Sequence, residues 1–242
     1  QIEKKYKSLS AINISKENIL CFPGTQTALY ATLRSLVEEG DEVIVGDPLY
    51  ATYEGVIRAS GADMVTVPLK ETNNFIMKAK DLKSALTTNS RVLLLNSPHN
   101  PTGMVMQDAD ITALSALCAR HDIYLIGDEV YEHMVFDQGR HLSLCAYADL
   151  YARSFVISSF GKTYHVTGWK VGYCIAPPQL TREFRRVHQY VTFTVNTPVQ
   201  LGIADFLQHY PEHHKQLQGF YQAKRDVFCE LLQGSRFRFV PS

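Results

Sequence analysis

The chain has 242 residues, with 24 Lys and Arg balanced by 24 Asp and Glu. That balance gives no one-signed field of the kind that holds nucleic acid or an anionic membrane surface. No apolar run approaches the ~18–20 residues of a membrane span, and the five cysteines are scattered without CxxC spacing, which argues for reduced thiols of a cytoplasmic protein over disulfides or metal ligands.

The N-terminal residues Gln1-Ile2-Glu3-Lys4-Lys5-Tyr6 are polar and charged, with no initiating Met. They do not form a secretory signal and read as the interior of a longer chain. Leu29 to Glu39 has helical spacing and is followed by Gly40-Asp41 as a stop. Glu42 to Val45 is a short apolar strand. A helix over 53–60, a strand over 64–67 and a short helix over 82–86 follow. Val92 to Leu95 is continuously apolar, as expected of a strand covered on both faces. A helix over 108–121 and a strand over 123–126 come next, then strands over 155–158 and 171–175. Residues 179–209 read as one long helix or two, broken near Asn196-Thr197-Pro198. A last amphipathic helix covers 212–232. Alternating strands and helices predict an α/β domain with a mostly parallel sheet wrapped by helices. No repeat, low-complexity tract or linker divides the chain, so residues 1–242 are expected to form one large domain.

In open α/β sheets, ligands bind beyond the carboxyl ends of the strands. Asn100, Asp128 and the stretch Ser159 to Lys162 each lie just past a predicted strand. Three strands therefore deliver polar groups to one edge. Lys162 stands on a glycine-flanked turn, three residues after Ser159 and eight before Lys170. A desolvated lysine amine is a nucleophile suited to bonding a carbonyl. Plainer readings also fit each residue taken alone. Asp128 suits a helix N-cap, and Asn100 an Asn-Pro turn. Tyr50 and Tyr131 suit core packing. Gly24-Thr25-Gln26 suits an ordinary glycine turn before a helix, and Lys170 a solvated loop.

The segment Ser158-Ser159-Phe160-Gly161-Lys162-Thr163-Tyr164-His165-Val166-Thr167-Gly168-Trp169-Lys170-Val171-Gly172-Tyr173 closely resembles the cofactor-lysine segment of class I/II pyridoxal-phosphate aminotransferases. Four further motifs resemble that family in its order. They are Gly24-Thr25-Gln26-Thr27-Ala28-Leu29, Asp47-Pro48-Leu49-Tyr50, Pro98-His99-Asn100-Pro101-Thr102-Gly103 and Asp128-Glu129-Val130-Tyr131. The resemblance covers essentially the whole chain and implies the large domain of a fold-type I enzyme, truncated at both ends. By the same resemblance, Lys162 forms the imine with pyridoxal phosphate and later moves the proton. Asp128 pairs with the pyridine nitrogen, and Asn100 and Tyr131 bond the ring's phenolic oxygen. Tyr50 stacks on the ring. Gly24, Thr25, Gln26, Ser159 and Lys170 hold the phosphate.

Most of the class carries arginine where Lys170 stands. Lysine in Gly168-Trp169-Lys170-Val171-Gly172, with the run His188 to Pro198, resembles the branch of kynurenine, glutamine and bacterial methionine aminotransferases. The resemblance therefore implies transfer of an amino group from an L-amino acid, aromatic or sulfur-containing, to a 2-oxo acid by a homodimer. A β-lyase on the same fold and a cofactor-binding sensor module are the alternative functions. The family's N-terminal arm, and a C-terminal small domain with its carboxylate-clamping arginine, are absent from these residues.

Overall fold

The computed structural model describes residues 1–9 and 12–241. The elements in chain order are α1 (Ile2–Leu9), β1 (Ile19–Phe22), α2 (Thr25–Leu36), β2 (Glu42–Asp47), α3 (Thr52–Ala59), β3 (Asp63–Pro68), α4 (Ala79–Ala85), β4 (Ser90–Asn96), α5 (Asp108–Arg120), β5 (Tyr124–Asp128), α6 (Ala148–Tyr151), β6 (Ser154–Ser159), α7 (Phe160–Thr163), β7 (Gly172–Ile175), α8 (Pro178–Val191), α9 (Thr197–His209) and α10 (Lys215–Leu232). The strands form a seven-stranded sheet in the order β1-β7-β6-β5-β4-β2-β3. Strands β3, β2, β4, β5 and β6 pair in parallel, whereas β7 runs antiparallel to both β6 and β1.

The apolar runs explain this sheet. Strand side chains alternate between faces, and the central strands carry unbroken apolar runs such as Val43–Val45 and Val92–Leu95. Val43, Val45, Val92, Leu94 and Ile126 pack on one face, in a core with Leu29, Leu33 and Phe184 from α2 and α8. Ile44, Leu93, Leu95 and Leu125 pack on the other, with Leu82 and Leu114 from α4 and α5. Helices thus cover both faces of one sheet, as buried parallel strands require.

Most predicted elements are present with shifted ends. The helix expected to begin at Leu29 begins at Thr25, because Gly24 takes a φ of 88° and turns the chain directly from β1 into α2. It ends at Leu36, where Val37 is already extended. The 179–209 segment is two helices, and Asn196 caps the second by accepting from Val199 N at 3.1 Å. β1 is an addition to the predicted set. Lys162, expected on a turn, sits in the single helical turn α7, whose N-cap is Ser159. Among the described residues, no helix is long and apolar enough to cross a membrane, and all five cysteines are free thiols.

Candidate active site

The register of the sheet sets the site. Asn96 at the end of β4 lies opposite Asp128 at the end of β5. Ser159 at the end of β6 lies opposite Gly172, which in turn faces Phe22 at the end of β1. Because β7 is antiparallel, its first residue reaches the same edge as the last residues of its neighbours. The loops after β1, β2, β4, β5 and β6 therefore open onto one rim.

Asp128 is a buried charged group there. Its Oδ2 accepts a hydrogen bond from Tyr53 Oη at 2.7 Å, and its Oδ1 accepts from Val130 N at 3.3 Å. Burial pushes its carboxyl up to about 6, against the lowering effect of the Tyr53 bond. A reversed turn follows Asp128, with no helix. The helix N-cap reading of this residue is therefore corrected. Tyr50, expected to stack on a ring, is partly exposed and meets Tyr53 edge-on at 5.5 Å between centroids. Tyr53 thus joins the Tyr50 ring to the Asp128 carboxylate.

Asn100 Nδ2 approaches Tyr131 Oη at 3.5 Å. Lys162 Nζ lies 5.8 Å from the centroid of the same tyrosine ring. Asn96 braces this group, donating from Nδ2 to the Asp128 carbonyl at 2.9 Å and accepting from Asn100 N at 2.7 Å. No carboxylate pairs with Lys162 among the described residues, so its amine is free for a ligand.

The other end of the site is a cradle of backbone. A Cβ placed on Gly172 would stand 3.1 Å from both Gly24 C and Thr25 N, and one on Gly24 would meet Lys170 Nζ at 2.9 Å. Only glycines permit this approach. The N-terminus of α2, a 12-residue helix, carries unpaired N–H groups and a positive dipole end at that point. Lys170 holds a left-handed φ of 53° beside it and has no acidic partner among the described residues. Gln26 Oε1 accepts from Thr52 Oγ1 at 3.0 Å, tying the cradle to the start of α3. Ser159 Oγ accepts from Gly161 N at 3.3 Å.

All ten residues singled out from the sequence therefore lie along one rim. Tyr53, Asn96 and Gly172 were missed. Tyr53 follows Tyr50 by three residues, a helical spacing that could have marked it. Asn96 is a polar residue closing an apolar strand. Gly172 gives no signal without the three-dimensional approach of α2.

The family profile for aminotransferase class I and II matches residues 1–242. The chain belongs to that family. The methionine aminotransferase of Escherichia coli K12 is 46% identical over 218 residues, covering 90% of this chain and 56% of that protein. Human kynurenine–oxoglutarate transaminase 3 is 34% identical over 199 residues, covering 78% of this chain and 44% of that protein. The solved structure of the E. coli protein YbdL, whose reactivity identified a methionine aminotransferase function, superposes with a TM-score of 0.92 at 44% identity. That superposition covers 97% of this chain and 62% of YbdL. The chain thus spans about half the length of the curated relatives it matches.

Class I and II aminotransferases use pyridoxal phosphate. The residues present fit that group in three respects. The Gly24–Gly172 cradle, with Lys170 beside it, suits a phosphate. The buried Asp128 carboxyl suits a protonated ring nitrogen. Lys162 offers an amine without a counter-ion to a carbonyl.

Proposed function

We propose that this chain is the pyridoxal-phosphate-binding large domain of an aminotransferase that moves an amino group from an L-amino acid to a 2-oxo acid. The observation that carries this reading is the convergence of Lys162, Asp128, the Asn100–Tyr131 pair and the Gly24–Lys170 cradle on one sheet edge. Bound pyridoxal phosphate supplies an electron sink for the substrate's α carbon. Lys162 Nζ attaches the cofactor and afterwards carries the proton at the α carbon. Asp128 keeps the ring nitrogen protonated, since an opposite charge nearby favours the charged form. Asn100 Nδ2 and Tyr131 Oη orient the ring's phenolic oxygen, and Tyr50 covers a ring face. The amides of Gly24, Thr25 and Gln26, the Ser159 hydroxyl and the Lys170 ammonium hold the phosphate.

Aromatic or sulfur-containing donors are the preferred substrates, supported by the likeness to the methionine and kynurenine enzymes. A cytoplasmic homodimer is the proposed state. The five free thiols support the compartment. Exposed Tyr190, Phe193, Leu201 and Tyr210 on α8, α9 and their flanks support association. Borohydride reduction of the loaded protein followed by peptide mapping should place the cofactor on Lys162, and Lys162→Ala should abolish the label. A label on Lys170 would overturn the assignment. Turnover of the full-length protein with a panel of amino acids and 2-oxo acids should consume an oxo acid. Ammonia and pyruvate released without one would mark an eliminating enzyme instead.

A further inference from the structure

Behind the site lies a buried ion pair that the proposed chemistry does not use. Lys5 Nζ on α1 stands 2.6 Å from Glu132 Oε2. Glu132 is buried, with a side chain only 4% exposed, whereas Lys5 is 27% exposed. Ser158 Oγ donates to Glu132 Oε1 at 2.6 Å, and Lys5 Nζ donates to Tyr173 Oη at 3.1 Å. Burial alone would raise the Glu132 carboxyl, but Lys5, with His133 and His141, outweighs it and holds the group at about 2.

The position of this pair is informative. Glu132 follows Tyr131 directly, in a turn closed by Glu132 N to Glu129 O at 3.0 Å and Met134 N to Tyr131 O at 2.8 Å. Ser158 precedes Ser159, the cap of the helical turn that carries Lys162. One carboxylate therefore ties the backbone of Tyr131 to that of Lys162, and Lys5 clamps it from a third element. A cavity of about 350 Å³ opens beside Lys5, Glu132, Ser159 and Tyr173. On this side of the turn the polar links stand beside the ring contacts of Phe160 with Tyr164 and Tyr173. A buried ion pair is a poor source of stability, because desolvation offsets most of the attraction, and its better-attested use is to fix one arrangement.

We propose that Glu132 is a positioning residue, held by Lys5 and Ser158, that sets Tyr131 Oη and Lys162 Nζ relative to one another. The proposal rests on the reading that Lys162 holds pyridoxal phosphate and that Tyr131 bonds its phenolic oxygen. Without the clamp, the Tyr131 donor drifts. The oxygen it stabilises in the charged form then gains proton affinity.

The test uses the full-length protein and compares wild type, Lys5→Met/Glu132→Leu and Lys5→Met/Glu132→Gln. Neither double variant leaves an unpaired charge, and the second keeps an acceptor for Ser158. Circular dichroism reports folding, and the pH midpoint of the visible band of the pyridoxal-phosphate-loaded protein reports the site. A wild type without such a band would refute the cofactor reading itself. With the band present, the Leu variant should raise the midpoint by roughly one unit, and the Gln variant by about half that, values set by the worth of one hydrogen bond to a charged group. The Leu variant should also lower kcat by about 10-fold or more with KM nearly unchanged. Should the Leu variant not fold, the Gln variant decides alone. A folded variant with the wild-type midpoint and kcat would reduce the pair to a structural element and overturn the proposal.

Discussion

Tyr53 and Asp128 show how one hydroxyl tunes a buried acid. Burial raises the Asp128 carboxyl to about 6, and the 2.7 Å bond from Tyr53 works in the other direction. Tyr53→Phe should therefore raise it further, by about one to two units for a hydrogen bond to a charged group. A ring cation beside Asp128 requires the carboxylate, so pyridoxal phosphate uptake below that value must release a proton. Affinity should rise with pH through about 6 in wild type and through a higher window in Tyr53→Phe. Equilibrium dialysis between pH 5 and 8 measures this, and identical profiles would remove Tyr53 from the site. Lys170 differs in kind. It is a point charge next to Gly24, where an arginine would grip bidentately. Lys170→Met should weaken cofactor retention by about one to two decades at moderate salt while Lys162 still takes the borohydride label. Unchanged affinity would return Lys170 to the role of a solvated loop lysine.

At the scale of elements, the cradle depends on two backbones meeting where β7 passes the start of α2. Gly172 lets them touch, and any Cβ would press on Gly24 C, Ser158 O and Thr25 N at 3.1 Å. None of these is the movable end of a side chain. Gly172→Ala should therefore displace the α2 N-terminus, costing about 1–3 kcal/mol in stability, with a loss of phosphate affinity that Gly219→Ala, where a Cβ meets nothing, does not reproduce. Thermal melts and inorganic phosphate binding on both variants separate the two effects. This contact also marks the limit of what was legible in the chain. Val92–Leu95 and Phe155–Ser158 were readable as strands because sheet burial on both faces demands unbroken apolar runs. Asn100, Asp128 and Lys162 were readable because they follow such runs. β1 escaped notice because Ile19–Phe22 is only four residues long and its pairing with β7 spans most of the chain. α7 escaped because one helical turn has no periodicity to read. Glu132 carries no signal in the sequence, because its partner Lys5 stands 127 positions away.

At the scale of the whole molecule, the buried acids pull stability in opposite directions with pH. Glu132, held at about 2 from an ordinary 4.5, contributes stability that is present above 4.5 and lost as pH falls toward 2. Asp128, raised from 3.8 to about 6, does the reverse. The folded chain keeps its proton where the unfolded chain has lost it, so its contribution is present below about 4 and is lost as pH rises to about 6. His99 and His133, both held at about 4 chiefly by burial, favour folding more as pH rises from 4 toward 6.5, which partly masks Asp128. Comparison with Asp128→Asn removes the masking, because the histidines are common to both proteins. The stability of the cofactor-free wild type relative to Asp128→Asn should fall by roughly 2 kcal/mol between pH 4 and 6 and level off by about pH 7. Loading with pyridoxal phosphate should abolish the fall, since a neighbouring cation holds Asp128 ionised in the folded state. Urea unfolding of both proteins at pH 4, 5, 6 and 7, with and without the cofactor, measures these differences. A pH-independent difference in the cofactor-free proteins would show that Asp128 keeps an ordinary carboxylate pKa. A fall that persists on loading would show that no cation comes to rest beside it.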